Sequence, residues 1–177
     1  MSENNNEIIS KTFANGVLLP QVVALLDEGH TVTLPLRGIS MRPFLEDQRD
    51  KALLVKATNT RVGDVVLAEI EPRHYVLHRV VGIDGDQVTL RGDGNLATEH
   101  CELKDVKAFA LGFYRKGRSR LETTDSLKWR VYSWLWCRLL PYRSRLLMLW
   151  NYETLPARIK GKLKRMVLSL RKGKEKA

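Results

Sequence analysis

Cysteine is scarce: the 177 residues hold two, Cys101 and Cys137, without CxxC or other metal-ligand spacing. That excludes a disulfide-stapled scaffold and a zinc module, and it points to a reducing compartment. His74, His78 and His100 lie close in sequence but have no cysteine pair beside them, so no metal and no cofactor is expected. Long apolar runs are also missing. The stretch over residues 17–26 is short and interrupted by Pro20 and Gln21, whereas a bilayer span needs about 20 apolar residues. Arg130, Arg138, Arg143 and Arg145 break up the C-terminal apolar residues in the same way. The polar start has no basic segment running into an apolar one, so no secretory leader is expected. These absences predict a cytoplasmic protein, peripheral on the cytoplasmic membrane face if it meets a membrane at all.

What is present can fill a core. Hydrophobic residues make up 44% of the chain and aromatics 7%, which excludes a disordered chain and a collagen. Charge is distributed unevenly. Residues 125–177 hold 14 Lys and Arg against 3 Asp and Glu, a net of +11; residues 1–124 hold 16 against 17. The sequence therefore divides into an N-terminal segment with a short helix (1–29), a near-neutral β core (30–120) and a basic, Trp-rich helical tail (121–177).

Local patterning fills in that outline. Residues 17–28 predict a helix closed by Gly29. Residues 31–36, 51–56, 65–70, 74–81, 87–91 and 106–114 predict strands, with Asp84-Gly85-Asp86 as a hairpin turn. Five to seven short strands with Gly-Asp turns predict a mainly β fold rather than a βαβ repeat. In the tail, Trp129, Tyr132, Trp136, Leu139 and Leu140 recur at helical spacing until Pro141. Beyond Pro156, Ile159, Leu163, Met166, Val167 and Leu170 form one apolar stripe flanked by Lys and Arg.

Three segments carry residues with chemistry. In Gly38-Ile39-Ser40-Met41-Arg42-Pro43, a glycine turn delivers Ser40 to the start of a helical turn. Backbone N–H groups there would be placed to stabilise an oxyanion, although a plain capping serine fits the same pattern. In residues 74–81, His78 shares a strand face with His74, Val76 and Val80. Partial desolvation favours the neutral imidazole a general base needs; a satisfied core histidine is the bland alternative. In Gly92-Asp93-Gly94-Asn95, followed by Glu99, an acid could orient that imidazole, or the segment could simply be a turn.

Taken together, the order and spacing of five segments resemble the catalytic core of signal peptidase I and the related LexA-type serine peptidases. They are Gly38-x-Ser40-Met41-x-Pro43, Arg49-Asp50, Gly63-Asp64-Val65-Val66, His78-Arg79-Val80-Val81-Gly82 and Gly92-Asp93-Gly94-Asn95. The resemblance implies a coiled β-sheet peptidase core, to which the helical basic extension is added, and peptide-bond hydrolysis through an acyl-enzyme on Ser40. Most bacterial members use a lysine base. His78 in its place is similar to the endoplasmic-reticulum and archaeal type. Asp93 is the preferred third member and Glu99 the alternative.

The chain departs from the family at Gly38, where bacterial members often carry a hydroxyl residue, and at Gly94. It also shows no counterpart of the N-terminal membrane anchor and no helix-turn-helix. The expected activity is therefore that of an anchorless peptidase cleaving a leader or pro-peptide. The contrasting expectation is a catalytically silent β domain whose basic tail binds nucleic acid, membrane or a partner protein. For the tail, residues 126–172, an anionic membrane surface or a partner protein is expected ahead of nucleic acid, with Trp129, Trp134, Trp136 and Trp150 as interfacial anchors.

Overall fold

A computed structural model describes residues 15–150. Helix α1 (Asn15–Asp27) buries Leu19, Val22 and Leu26, which the helical period sets on one side. It ends where the sequence requires. Gly29 adopts φ +88° and donates to Leu26 O, and His30 donates to Leu25 O, a Schellman pair that only a left-handed residue allows.

Eight antiparallel strands follow: β1 (Val32–Pro35), β2 (Lys51–Lys56), β3 (Val65–Glu71), β4 (His74–Asp84), β5 (Gln87–Arg91), β6 (Glu99–Glu102), β7 (Val106–Tyr114) and β8 (Leu121–Thr123). They form one sheet in the order β1-β2-β7-β3-β4-β5-β6, with β8 paired to β7. The protein is mainly β, as composition and turns predict. The sheet core extends past residue 120, however. β8 pairs Leu121 with Tyr114, and Trp129 of helix α2 (Leu127–Arg138) is buried in the core. β6 and β8 escape sequence patterning because three or four residues carry no measurable alternation.

Both faces of the central strands are covered. Along β3, Val65 and Leu67 join a core with Leu26, Phe113 and Trp129, while Val66 and Ala68 join a second with Val80 and Leu90. That is why Val65–Ala68 reads as an unbroken apolar run rather than an alternating one. The β4–β5 hairpin closes at Gly85 (φ +55°) and Asp86, with Asp84 opposite Gln87. Register shifts at Leu53/Leu54, Leu67/Ala68 and Val80/Gly82 mark bulges, each of which increases local twist.

Residues 138–177 form a separate compact unit, in which the described part is a 3-10 turn at Leu140–Tyr142 and helix α3 (Arg143–Trp150). The amphipathic stripe expected over residues 159–170 lies outside the described residues. Among the described residues no helix is long and apolar enough to cross a membrane.

Candidate active site

Ser40 sits in a run of turns rather than a regular helix. Arg42 N donates to Ile39 O, and Leu45 N donates to Met41 O, which closes a single α-turn. The loop is tied down at several points. Gly38, at φ +87°, donates its N–H to Asp47 Oδ1 at 2.8 Å. Arg115 lies over the Phe44 ring and donates to Phe44 O at 2.7 Å. The buried Asp50 carboxylate accepts from Glu46 N, Lys116 N and the Arg49 guanidinium. Burial pushes the Asp50 carboxyl up, but those hydrogen bonds outweigh it and hold the group below the ordinary aspartate value. The loop that carries Ser40 is therefore held by interactions spread along its length, as a site built for precise placement requires.

The 92–95 turn closes on Ser40. Gly94 N donates to Ser40 O at 2.6 Å. A Cβ on Gly92 would stand 2.5 Å from Ser40 O and 3.0 Å from Ser40 Cβ; one on Gly94 would stand 2.8 Å from Ile39 O. These glycines are present because two backbones meet there. Among the described residues the N–H groups of Ser40 and Met41 make no hydrogen bond.

His78 is buried on β4 opposite Val66. Its Nδ1 lies 2.5 Å from Glu99 Oε2 on β6. An ionised carboxylate can only accept, so Nδ1 carries the proton and a neutral ring leaves Nε2 free to act as a base. Among the described residues no hydrogen bond joins Ser40 to His78.

Asp93, the carboxylate favoured from sequence, does not meet this histidine. It is fully buried and paired two-pronged with Arg79, Nε to Oδ1 at 2.8 Å and Nη2 to Oδ2 at 2.7 Å. Burial pushes the Arg79 guanidinium down, but Asp93 outweighs it and the net shift is upward. Strand register explains why Glu99 and not Asp93 contacts His78. Val80 pairs with Leu90 and Leu90 with Glu99, so Glu99 lies on the sheet face of Val80 and therefore of His78, two residues away. Arg79 pairs with Arg91 on the opposite face, where Asp93 follows.

Helix α2 completes the Asp93 clasp, a role that sequence patterning did not reveal. Tyr132 Oη donates to Asp93 Oδ2 at 3.2 Å, Trp136 Nε1 to Asp93 O at 3.3 Å, and Ser133 Oγ to Gly63 O at 2.8 Å. Arg79 Nη1 donates to both Gly63 O and Ser133 Oγ, and the Trp129 and Tyr132 rings flank its guanidinium. The one available signal was charge complementarity between the Arg79 and Asp93 segments; nothing local marks Tyr132 or Ser133. Trp129 and Trp136 are accordingly committed to this body, while Trp134 is exposed.

His74 and His100 diverge from the site: His74 lies exposed near Glu71, and His100 contacts Thr89. Among the described residues no group of three His, Cys, Asp or Glu side chains could hold a metal. A cavity of about 470 Å³ reaches Ser40, lined by β1, residues 36–38, α1 and the β4 residues Tyr75 and Leu77. No protein-family model matches the chain, and no curated protein matches it.

Proposed function

We propose that the protein is a signal-peptidase-like serine endopeptidase, with Ser40 as nucleophile, His78 as general base and Glu99 as the group that orients His78. The observation that carries this proposal is the convergence at one turn. The 92–95 segment packs on Ser40, and the strand it leads into supplies the carboxylate on His78. The cavity adds a second support. It is walled by residues 36–38 and Ser40 itself, while Tyr75 and Leu77 line it from the β4 face opposite to His78. An extended leader or pro-peptide lying there would bring its scissile carbonyl to Ser40.

The chemistry follows the acyl-enzyme route. Ser40 Oγ attacks the carbonyl carbon while His78 Nε2 takes its proton, and Glu99 stabilises the imidazolium that forms. The oxyanion points at the N–H groups of Ser40 and Met41. Collapse breaks the C–N bond, His78 returns the proton to the leaving amine, and water then hydrolyses the ester by the reverse proton route.

A fluorophosphonate probe tests the assignment. Wild-type protein is expected to be labelled at Ser40, and His78→Ala to slow labelling by about two to four orders of magnitude while remaining folded. A folded wild type that takes no label would instead be the catalytically silent domain.

A further inference from the structure

A basic cavity lies on the outer face of the sheet. Strand pairing sets Lys51 of β2 opposite Pro35 of β1 and Tyr114 of β7, while the next set along, Leu34, Ala52 and Phe113, belongs to the core beneath α1. Side chains alternate across a strand, so Thr33, Lys51 and Tyr114 share the face away from that core. With Arg49 and Arg118 they line a cavity of about 480 Å³. The β7–β8 hairpin walls its far side. Lys116 and Gly117 turn the hairpin at positive φ, and Arg118 N donates to Arg115 O. The buried Asp50 carboxylate accepts from Lys116 N at 2.8 Å and also from Glu46 N in the Ser40 loop. One group therefore fixes the hairpin and the nucleophile's loop together.

Charge at this cavity is of one sign. Among the described residues no Asp or Glu lines it. The acids of the adjoining segments are engaged: Asp50 with Arg49, Asp47 with Gly38 N, Glu46 with Arg42, and Glu122 with Arg115 and Lys128. Lys51 and Arg118 are exposed and make no ion pair among the described residues, and the same holds for Lys116 and Arg120 in the hairpin. Thr33 also lines the cavity that reaches Ser40, so the two adjoin at β1, the edge strand of the sheet. The Ser40 cavity is walled largely by apolar residues, Leu18, Val22, Leu25 and Leu34 among them.

We propose that the basic cavity holds an acidic stretch of the peptide whose scissile bond lies at Ser40, a proposal that rests on the peptidase reading. A peptide with an apolar segment beside an acidic one matches both cavities at once. Its carboxylates would pair with Lys51 and Arg118, which have no counter-ion of their own to release. A nucleic-acid backbone would satisfy those cations but finds only apolar walls in the adjoining cavity.

Fluorescence anisotropy of a fluorescein-labelled hexaglutamate peptide, against hexaglutamine, tests the site in the full chain. The wild type is expected to bind hexaglutamate at least about tenfold more tightly, with the margin shrinking at high salt. Lys51→Gln combined with Arg118→Gln removes two exposed, unpaired cations and should weaken hexaglutamate binding at least about tenfold at an unchanged melting temperature. A peptide joining an oligoglutamate block to an Ala-Leu repeat, in either order, should slow fluorophosphonate labelling of Ser40 more than either block alone. Equal hexaglutamate binding by wild type and the Lys51/Arg118 variant would overturn the proposal and place any binding on the basic C-terminal segment. Tighter binding of a fluorescein-labelled oligothymidylate, lost in the same variant, would overturn it in favour of nucleic acid. The two readings fail separately: absence of label counts against the peptidase, and absence of binding that depends on Lys51 and Arg118 counts against the acidic-peptide site.

Discussion

Replacing Asp93 and Glu99 in turn separates rate from stability. Asp93 and Arg79 are each 0% exposed and share two hydrogen bonds of 2.8 and 2.7 Å. Asp93→Ala leaves the guanidinium buried, with Gly63 O and Ser133 Oγ as its remaining polar partners. Breaking a buried pair from one side costs about 3–5 kcal/mol. For a chain of this size that corresponds to a fall in Tm of roughly 6–20 °C. Glu99 is 31% exposed, and Glu99→Gln keeps an oxygen to accept the Nδ1 proton. Its stability cost should stay within about 1 kcal/mol, since a partly solvated pair contributes little. It removes, however, the negative charge that steadies the imidazolium, which should slow Ser40 labelling by about 10²–10⁴. Thermal unfolding by circular dichroism and labelling rates with the fluorophosphonate probe measure the two effects. If Asp93→Ala lost labelling at an unchanged Tm while Glu99→Gln reacted normally, the roles assigned to the two acids would be reversed.

Two further outcomes follow from the same contacts. Gly92→Ala places a methyl 2.5 Å from Ser40 O and should slow labelling at least about tenfold while costing about 1–3 kcal/mol in urea unfolding; Gly85→Ala, with nothing near its Cβ, should leave labelling unchanged. Asp50 is held below its ordinary value, so its contribution to stability is full above the unfolded-state pKa of about 3.9 and is lost as pH falls through the lower folded value. Asp50→Asn should therefore be less stable than wild type at pH 7, with the gap narrowing towards pH 2, as read by urea midpoints; a gap that widened on acidification would contradict this.

Much of the protein was legible locally. The Leu19, Val22, Leu26 spacing and Gly29 specify α1 and its end because helix period and a left-handed cap act over a few residues. The β4–β5 hairpin is specified by Gly85-Asp86 between two β-forming segments for the same reason. The segments carrying Ser40, His78 and the two acids could be picked out by residue type and order.

Which acid faces His78 could not be read in that way. Asp93 and Glu99 are separated by an irregular turn, so no sequence period connects their directions; the Val80–Leu90–Glu99 register decides it. The tail behaved similarly. Its sequence predicted a basic helical segment carrying Trp129, Tyr132 and Trp136 at helical spacing, but a helix can bury either side. Tertiary packing committed Trp129, Tyr132 and Trp136 to the Arg79–Asp93 clasp and left Val131 and Trp134 outside, because a buried ion pair needs hydrogen-bonding and aromatic cover. Composition and local period determined most of the helices and strands, though not β6 and β8. Sheet register and long-range burial, which no local stretch encodes, decided which side chains meet.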